Sequence, residues 1–198
     1  MAEVRPAALQ KQLDGSPKAS ENCAAASAAM SSLRARKNVN PKMGFPWLTN
    51  SLPTMSSAIR KWCDQHFTTS VAFGLYQRWV NAAVKAMYGV TLGYAFSISR
   101  LTARAYLKDH RGISITVIYS YFQGTKYAGS VFFGRHRIYL NEERWNATKQ
   151  RVETLVYDPL CDGRHPWVPK GPQWIPNSLI WKAAEAATIE VSFTARTA

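Results

Sequence analysis

Three residues far apart in the chain, Cys23, His136 and Asp158, are of the types from which nucleophilic catalysis is assembled. A thiolate attacks a carbonyl carbon, and an imidazole within hydrogen-bond reach takes and returns the proton. A carboxylate holds that imidazole in one tautomer and one orientation. None of the three is specific alone. An isolated cysteine is more often a small packing residue, and a histidine at a strand start is more often half-buried surface. An aspartate before proline is more often a turn former, because its carboxylate caps local N–H groups. In this order, at a helix start, a strand start and the end of a neighbouring strand, they point to a triad.

The element carrying the nucleophile is legible. Gly15-Ser16-Pro17-Lys18-Ala19-Ser20-Glu21-Asn22 is a polar, turn-rich approach, and strong helix formers begin at Cys23. Ser20 or Asn22 can accept a hydrogen bond from an orphan N–H as an N-cap. Cys23 then sits in the first turn, where the unpaired N–H groups and the macrodipole favour thiolate over thiol. If the strands of His136 and Asp158 pair as antiparallel neighbours, both side chains can point toward that helix terminus.

The other elements follow from pattern. Residues 1–20 read as an irregular amino-terminal arm punctuated by Pro6 and Pro17, and residues 21–198 as one domain. Helices are expected over Cys23–Arg34, Thr54–Phe67, Leu75–Tyr88 and Ser99–Lys108. The second carries Ile59, Trp62 and Cys63 at helical spacing, which makes Cys63 a core residue. The third has Leu75, Trp79, Ala83 and Met87 at intervals of four, with Gly89 as its left-handed stop. A short strand is expected within Val90–Phe96. Ile113–Phe122 is β-branched and aromatic, a strong strand signal. Further strands are expected over Ser130–Leu140, kinked at Gly134, and over Arg151–Tyr157, stopped by Asp158-Pro159. A proline-rich loop through Pro176 leads to a helix capped by Asn177 or Ser178 and a last strand at Ile189–Phe193. Helices first and an antiparallel meander second describe an α+β fold.

Composition bounds the function. The chain has 198 residues, 46% hydrophobic, enough for a sizeable core and far from a disordered composition. Its net charge of +13 favours anionic partners: nucleic acid, an acidic polymer or a negatively charged protein lattice. Three cysteines, Cys23, Cys63 and Cys161, make an odd number at unpatterned spacing and do not point to a disulfide framework. Glu3, Arg5 and Lys11 without an apolar stretch between them do not make a secretory signal, and no run reaches the ~18 apolar residues of a membrane helix.

Other candidates carry less. Cys161, Asp162 and His165 form a short ligand-capable cluster without a second pair at suitable spacing, so no metal or other cofactor is expected. His66 and His110 end helices, where a cationic residue suits the dipole. Arg34, Arg36, Lys37 and Lys42 have no interleaved aromatic for base stacking, which makes them solvated surface.

The segments Gln12-Leu13-Asp14-Gly15 with Asn22-Cys23-Ala24-Ala25-Ala26-Ser27, then His136-Arg137-Ile138-Tyr139-Leu140, then Val156-Tyr157-Asp158-Pro159-Leu160 resemble the papain-like cysteine peptidases, especially the bacteriocin-leader-processing type. With Trp174-Ile175-Pro176, residues 8 to 195 also look like peptidase-fold virion proteins of tailed phages infecting actinobacteria. The resemblance implies a papain-like fold with Cys23, His136 and Asp158 as catalytic residues and Gln12 as an oxyanion-hole donor. It implies a virion protein made in the host cytoplasm, with other virion proteins or a peptide or peptidoglycan substrate as partners. A non-catalytic capsid or tail component using the same fold as a scaffold is the alternative. The sequence departs from the pattern at three places: Ala24 stands where glycine is common, Gln12 and Gln10 lie farther from the cysteine than usual, and Arg137 replaces an apolar residue.

Overall fold

Between Ala24 and Ser32 every residue is buried, and the sequence shows why a helix can sit there. α1 (Cys23–Val39) opens with alanine and serine, whose small side chains let backbone approach from all sides. Its serines do not leave polar atoms stranded, since the Ser31 and Ser32 hydroxyls donate to the carbonyls of Ser27 and Ala28 at 3.1 and 2.8 Å. The helix extends five residues past the expected Arg34. The computed structural model describes residues 22–39, 55–67, 75–110, 112–122, 134–160 and 172–194, with backbone alone at 33–39 and 110. The arm over residues 1–20, the Pro-rich loop at 161–171 and the strand portion at 130–133 lie outside the described residues.

Two amphipathic helices, α2 (Met55–His66) and α3 (Gln77–Tyr88), pack on α1. Ala24, Ala25, Ala28 and Ala29 meet Met55, Ile59, Cys63, Val80, Ala83 and Val84 there. Cys63 is core, as its spacing predicts. The stripe expected on α3 is different: Val80, Ala83, Val84 and Tyr88 face inward, while Met87 is exposed. Intervals of four drift by about 40° per step around a helix of 3.6 residues per turn, so Met87 rotates away from the core. Gly89 ends the helix at φ 66°, with its N–H on the Lys85 carbonyl.

The second half forms a six-stranded antiparallel sheet in the order β1 (Leu92–Phe96), β6 (Glu190–Thr194), β2 (Ile113–Ile118), β3 (Arg135–Asn146), β4 (Arg151–Tyr157), β5 (Gln173–Pro176). Strand alternation divides its side chains between two layers. Ile113, Ile115, Val117, Ile138, Leu140, Val156 and Val191 pack under α4 (Arg100–His110) and α5 (Asn177–Ala186) with Trp181 and Ile180. Tyr139, Leu155 and Tyr157 face the other way, onto Met30 of α1. The protein is therefore an α+β fold in which helices cover both faces of one sheet.

Three boundaries differ from expectation. The β-branched run breaks after Ile118 into a 3-10 turn over Tyr119–Phe122. β3 runs on to Asn146, because Arg144 and Asn146 pair across β4 with the buried Glu153. Gln173–Pro176, expected as loop, forms edge strand β5 on β4, an edge being where proline is tolerated. Asn177 does not cap α5; its amide donates to Glu143 and to Thr154 Oγ1. No helix among the described residues is long and apolar enough to cross a membrane.

Candidate active site

β3 and β4 are hydrogen-bonded antiparallel neighbours with Tyr139 opposite Tyr157. One further residue along that register, Asp158 falls beside Ile138 and becomes the diagonal neighbour of His136 on the same face. His136 Nε2 donates to Asp158 Oδ1 at 2.8 Å, with both side chains at most 1% exposed. The same carboxylate oxygen accepts the Leu160 N–H at 2.8 Å. Asp158 is thus a turn former before Pro159 and an orienter of imidazole at once, since an ionised carboxylate has lone pairs for both.

Sequence reasoning missed Tyr119. Its hydroxyl donates to Asp158 Oδ2 at 2.9 Å, and its ring meets the His136 ring edge-on at 5.1 Å. Tyr119 lies just past β2, two residues on from Val117, which pairs with His136, and its N–H still reaches the Gly134 carbonyl at 3.4 Å, so it stands on the His136 side of the sheet.

Cys23 is the first residue of α1 and is partly exposed. The first hydrogen bond of the helix runs from the Ala26 N–H to the Asn22 carbonyl, which places Asn22 at the N-cap. Its side chain is buried with neither amide atom hydrogen-bonded, so the expected side-chain cap by Asn22 is not made. Ser20, the other candidate cap, lies outside the described residues, as do Gln12 and Gln10.

The thiol and the imidazole perturb each other. Burial by itself raises the Cys23 pKa, but hydrogen bonding to His136, the imidazolium charge, a backbone hydrogen bond from Arg137 and the Arg137 charge outweigh it, and the net shift is downward from 9.0. Burial would lower His136, yet the Asp158 charge and hydrogen bond, together with Cys23, push it up to about 10. Nε2 being committed to Asp158, Nδ1 is the nitrogen left for Cys23. Both shifts favour the charged forms, the direction that a thiolate–imidazolium pair beside a carboxylate requires. Cys63 is the contrast: burial, with Asp64 adding to it, pushes its thiol up to about 12.

The remaining sequence candidates have smaller places. His66 closes α2 by setting Nδ1 2.8 Å from the Trp62 carbonyl and stacking on the Trp62 ring, as a C-terminal capping residue should. The side chain of His110 and the whole Cys161, Asp162 and His165 cluster lie outside the described residues.

No protein-family model and no curated protein sequence matches the chain. Among solved structures the fold is similar to that of a protein from Bacillus anthracis assigned provisionally as a C39-like peptidase. The two superpose with a TM-score of 0.57 at 12% sequence identity, over 96% of this chain and 95% of that one. The architecture is that of a C39-like, papain-like peptidase.

Proposed function

We propose that the protein is a thiol hydrolase that cleaves a peptide or isopeptide bond. The single observation that carries this reading is the convergence on one point of Cys23 at a helix start, His136 and Asp158, with the thiol held toward its ionised form. A thiol lowered beside a carboxylate-anchored histidine is the arrangement that nucleophilic hydrolysis needs.

In the proposed reaction the Cys23 thiolate attacks the carbonyl carbon and forms a C–S bond. The electron pair of the C=O moves to oxygen, where the Cys23 backbone N–H and the positive end of α1 stabilise the charge. On collapse the C–N bond breaks and the His136 imidazolium gives its proton to the leaving amine. Neutral His136 then takes a proton from water, which attacks the thioester and expels thiolate. Asp158 holds the ring through Nε2 in every step. Peptidoglycan crosslinks or a virion precursor are the substrate classes that the sequence resemblance suggests, and a phage particle is the proposed setting.

The test is alkylation of native protein by iodoacetamide across pH, with labelling read at each cysteine by mass spectrometry. Cys23 should label near neutral pH far faster than Cys63, and His136→Ala should remove that preference. Cys23 labelling no faster than Cys63 overturns the reading.

A further inference from the structure

The proposed reaction makes no use of the excess of cations in this chain, +13 in net charge, and part of that excess gathers at the far end of the sheet. In the hairpin that joins β3 to β4, Arg144 pairs with Glu153, Trp145 with Val152 and Asn146 with Arg151. Strand alternation therefore puts Arg144, Arg151 and Glu153 on one face of the ribbon and Trp145 on the other. Arg144, Lys149 and Arg151 lie 3.3, 3.4 and 2.9 Å from the Glu153 carboxylate. The Glu153 side chain is 1% exposed, whereas the three cations are 46%, 55% and 41% exposed. One buried carboxylate thus gathers three long side chains and leaves their positive charge in excess at the surface. Asn146 Oδ1 accepts the Lys149 N–H at 3.1 Å, which fixes the turn that carries the lysine.

The same hairpin carries flat aromatic surface. The Arg144 guanidinium lies over the Trp174 ring, 3.8 Å from its centroid, where β5 pairs with β4. Trp145 is 62% exposed on the reverse face, a large ring left in water. The basic run at Arg34, Arg36, Lys37 and Lys42 has no aromatic residue within it, whereas arginine, tryptophan and lysine are interleaved between Arg144 and Arg151. Cations in excess bind phosphates, and ring faces or guanidinium planes bind bases by stacking. A single strand of nucleic acid offers both groups at once. A duplex keeps its base faces within its own stack, and an acidic polysaccharide has charge without π-faces.

We propose that the β3–β4 hairpin is a binding surface for single-stranded nucleic acid. Arg144, Lys149 and Arg151 take the phosphates, and Trp145 with the outer plane of the Arg144–Trp174 stack takes the bases. Glu153 holds the three cations in place before the strand arrives, so less side-chain freedom is lost on binding. Arg144 stands eight residues along β3 from His136, roughly 25 Å at the rise of an extended strand. The surface is therefore separate from the candidate active site and does not depend on the thiol-hydrolase reading.

The experiment is a titration of fluorescein-labelled oligo(dT) with the full chain, read by anisotropy at several potassium chloride concentrations, with folding checked by circular dichroism. Wild type should bind, with an affinity that falls steeply as salt rises. Lys149→Gln and Arg151→Gln should each flatten the slope of log affinity against log salt by about 0.7, the share of one phosphate contact on a single strand. Trp145→Ala should weaken binding about tenfold and leave that slope as it is, because stacking releases no counterions. Trp145 and Lys149 are exposed, so their variants keep the test open if Arg151→Gln does not fold. Heparin and duplex DNA of the same length should bind more weakly than oligo(dT). Absence of oligo(dT) binding at low salt overturns the proposal. So does a Trp145→Ala protein that binds as wild type does, a salt slope unmoved in the cation variants, or heparin or duplex bound as tightly as oligo(dT).

Discussion

Tyr119 and Asp158 are joined by a 2.9 Å hydrogen bond from the phenol to Oδ2, while Oδ1 of the same carboxylate carries His136. One buried carboxylate therefore ties β2, β3 and the end of β4 together at the point where the histidine must not swing. The consequences can be measured.

Asp158→Asn keeps the shape of the turn and one oxygen for His136, and removes the charge. The Asp158 charge is the leading influence that raises His136 to about 10, so the imidazolium should deprotonate at lower pH, its support of the thiolate should weaken, and the acid limb of Cys23 labelling should move up. Tyr119→Phe retains the ring contact and removes one bond to the carboxylate, for an expected loss of about 1–3 kcal/mol in a denaturant melt. A Tyr119→Phe melt identical to wild type would show that the bond adds nothing to stability.

The pH dependence of stability has a definite sign. His136 is raised from 6.5 to about 10 in the folded protein, so its contribution is complete below 6.5 and is lost as pH rises through about 10. The lowered Cys23 thiol works in the other sense: its contribution is complete above 9.0 and is lost as pH falls through its folded value. The two contributions oppose each other below 9.0, and only the His136 contribution is left to be lost above it, so the melting temperature of wild type should fall between pH 9.0 and 10 more steeply than that of His136→Gln. Parallel curves for the two proteins would contradict the assignment.

Glu153 should matter more to the fold than its place on a hairpin suggests. It is buried and meets Asn146, Arg144, Arg151 and Lys149 at 2.8 to 3.4 Å. Burial opposes ionisation, but those hydrogen bonds and the Lys149 charge push its pKa down to about 2. Its contribution is present above 4.5 and lost as pH falls through about 2. Glu153→Gln should cost about 1–2 kcal/mol at neutral pH and flatten acid unfolding in that window; the cationic partners are half-exposed, so added salt should shrink the difference.

Gly93 is held without a side chain by its neighbour across the strands. A Cβ there would lie 2.3 Å from the Phe193 ring, which is itself stacked on Tyr106 at 4.3 Å. Gly93→Ala should lower stability by about 1–3 kcal/mol through overpacking, and Gly93→Ala with Phe193→Leu should recover part of it. Thermal melts of the two variants test this directly.

The sequence by itself determined those features that local physics controls. An Ala- and Ser-rich run after a polar approach makes a helix, and a cysteine at its start is an N-terminal cysteine whatever else the chain does. Arg151–Tyr157 alternates and stops at Asp158-Pro159 because proline ends a ladder, and β4 has those bounds. The antiparallel neighbouring of β3 and β4, on which the convergence of His136 and Asp158 depends, was legible only as a condition. Features that rest on partners distant in the chain were decided by tertiary structure alone. Tyr119 serves Asp158 because β2 and β4 both flank β3, and Gln173–Pro176 is a strand because β4 offers it an edge. Arg137, read in sequence only as a departure at an apolar position, is paid for by Ser114, Thr116 and Glu190 on two other strands. No spacing in one strand reveals that cradle, because hydrogen bonds that bury a charge are made across a sheet and not along it.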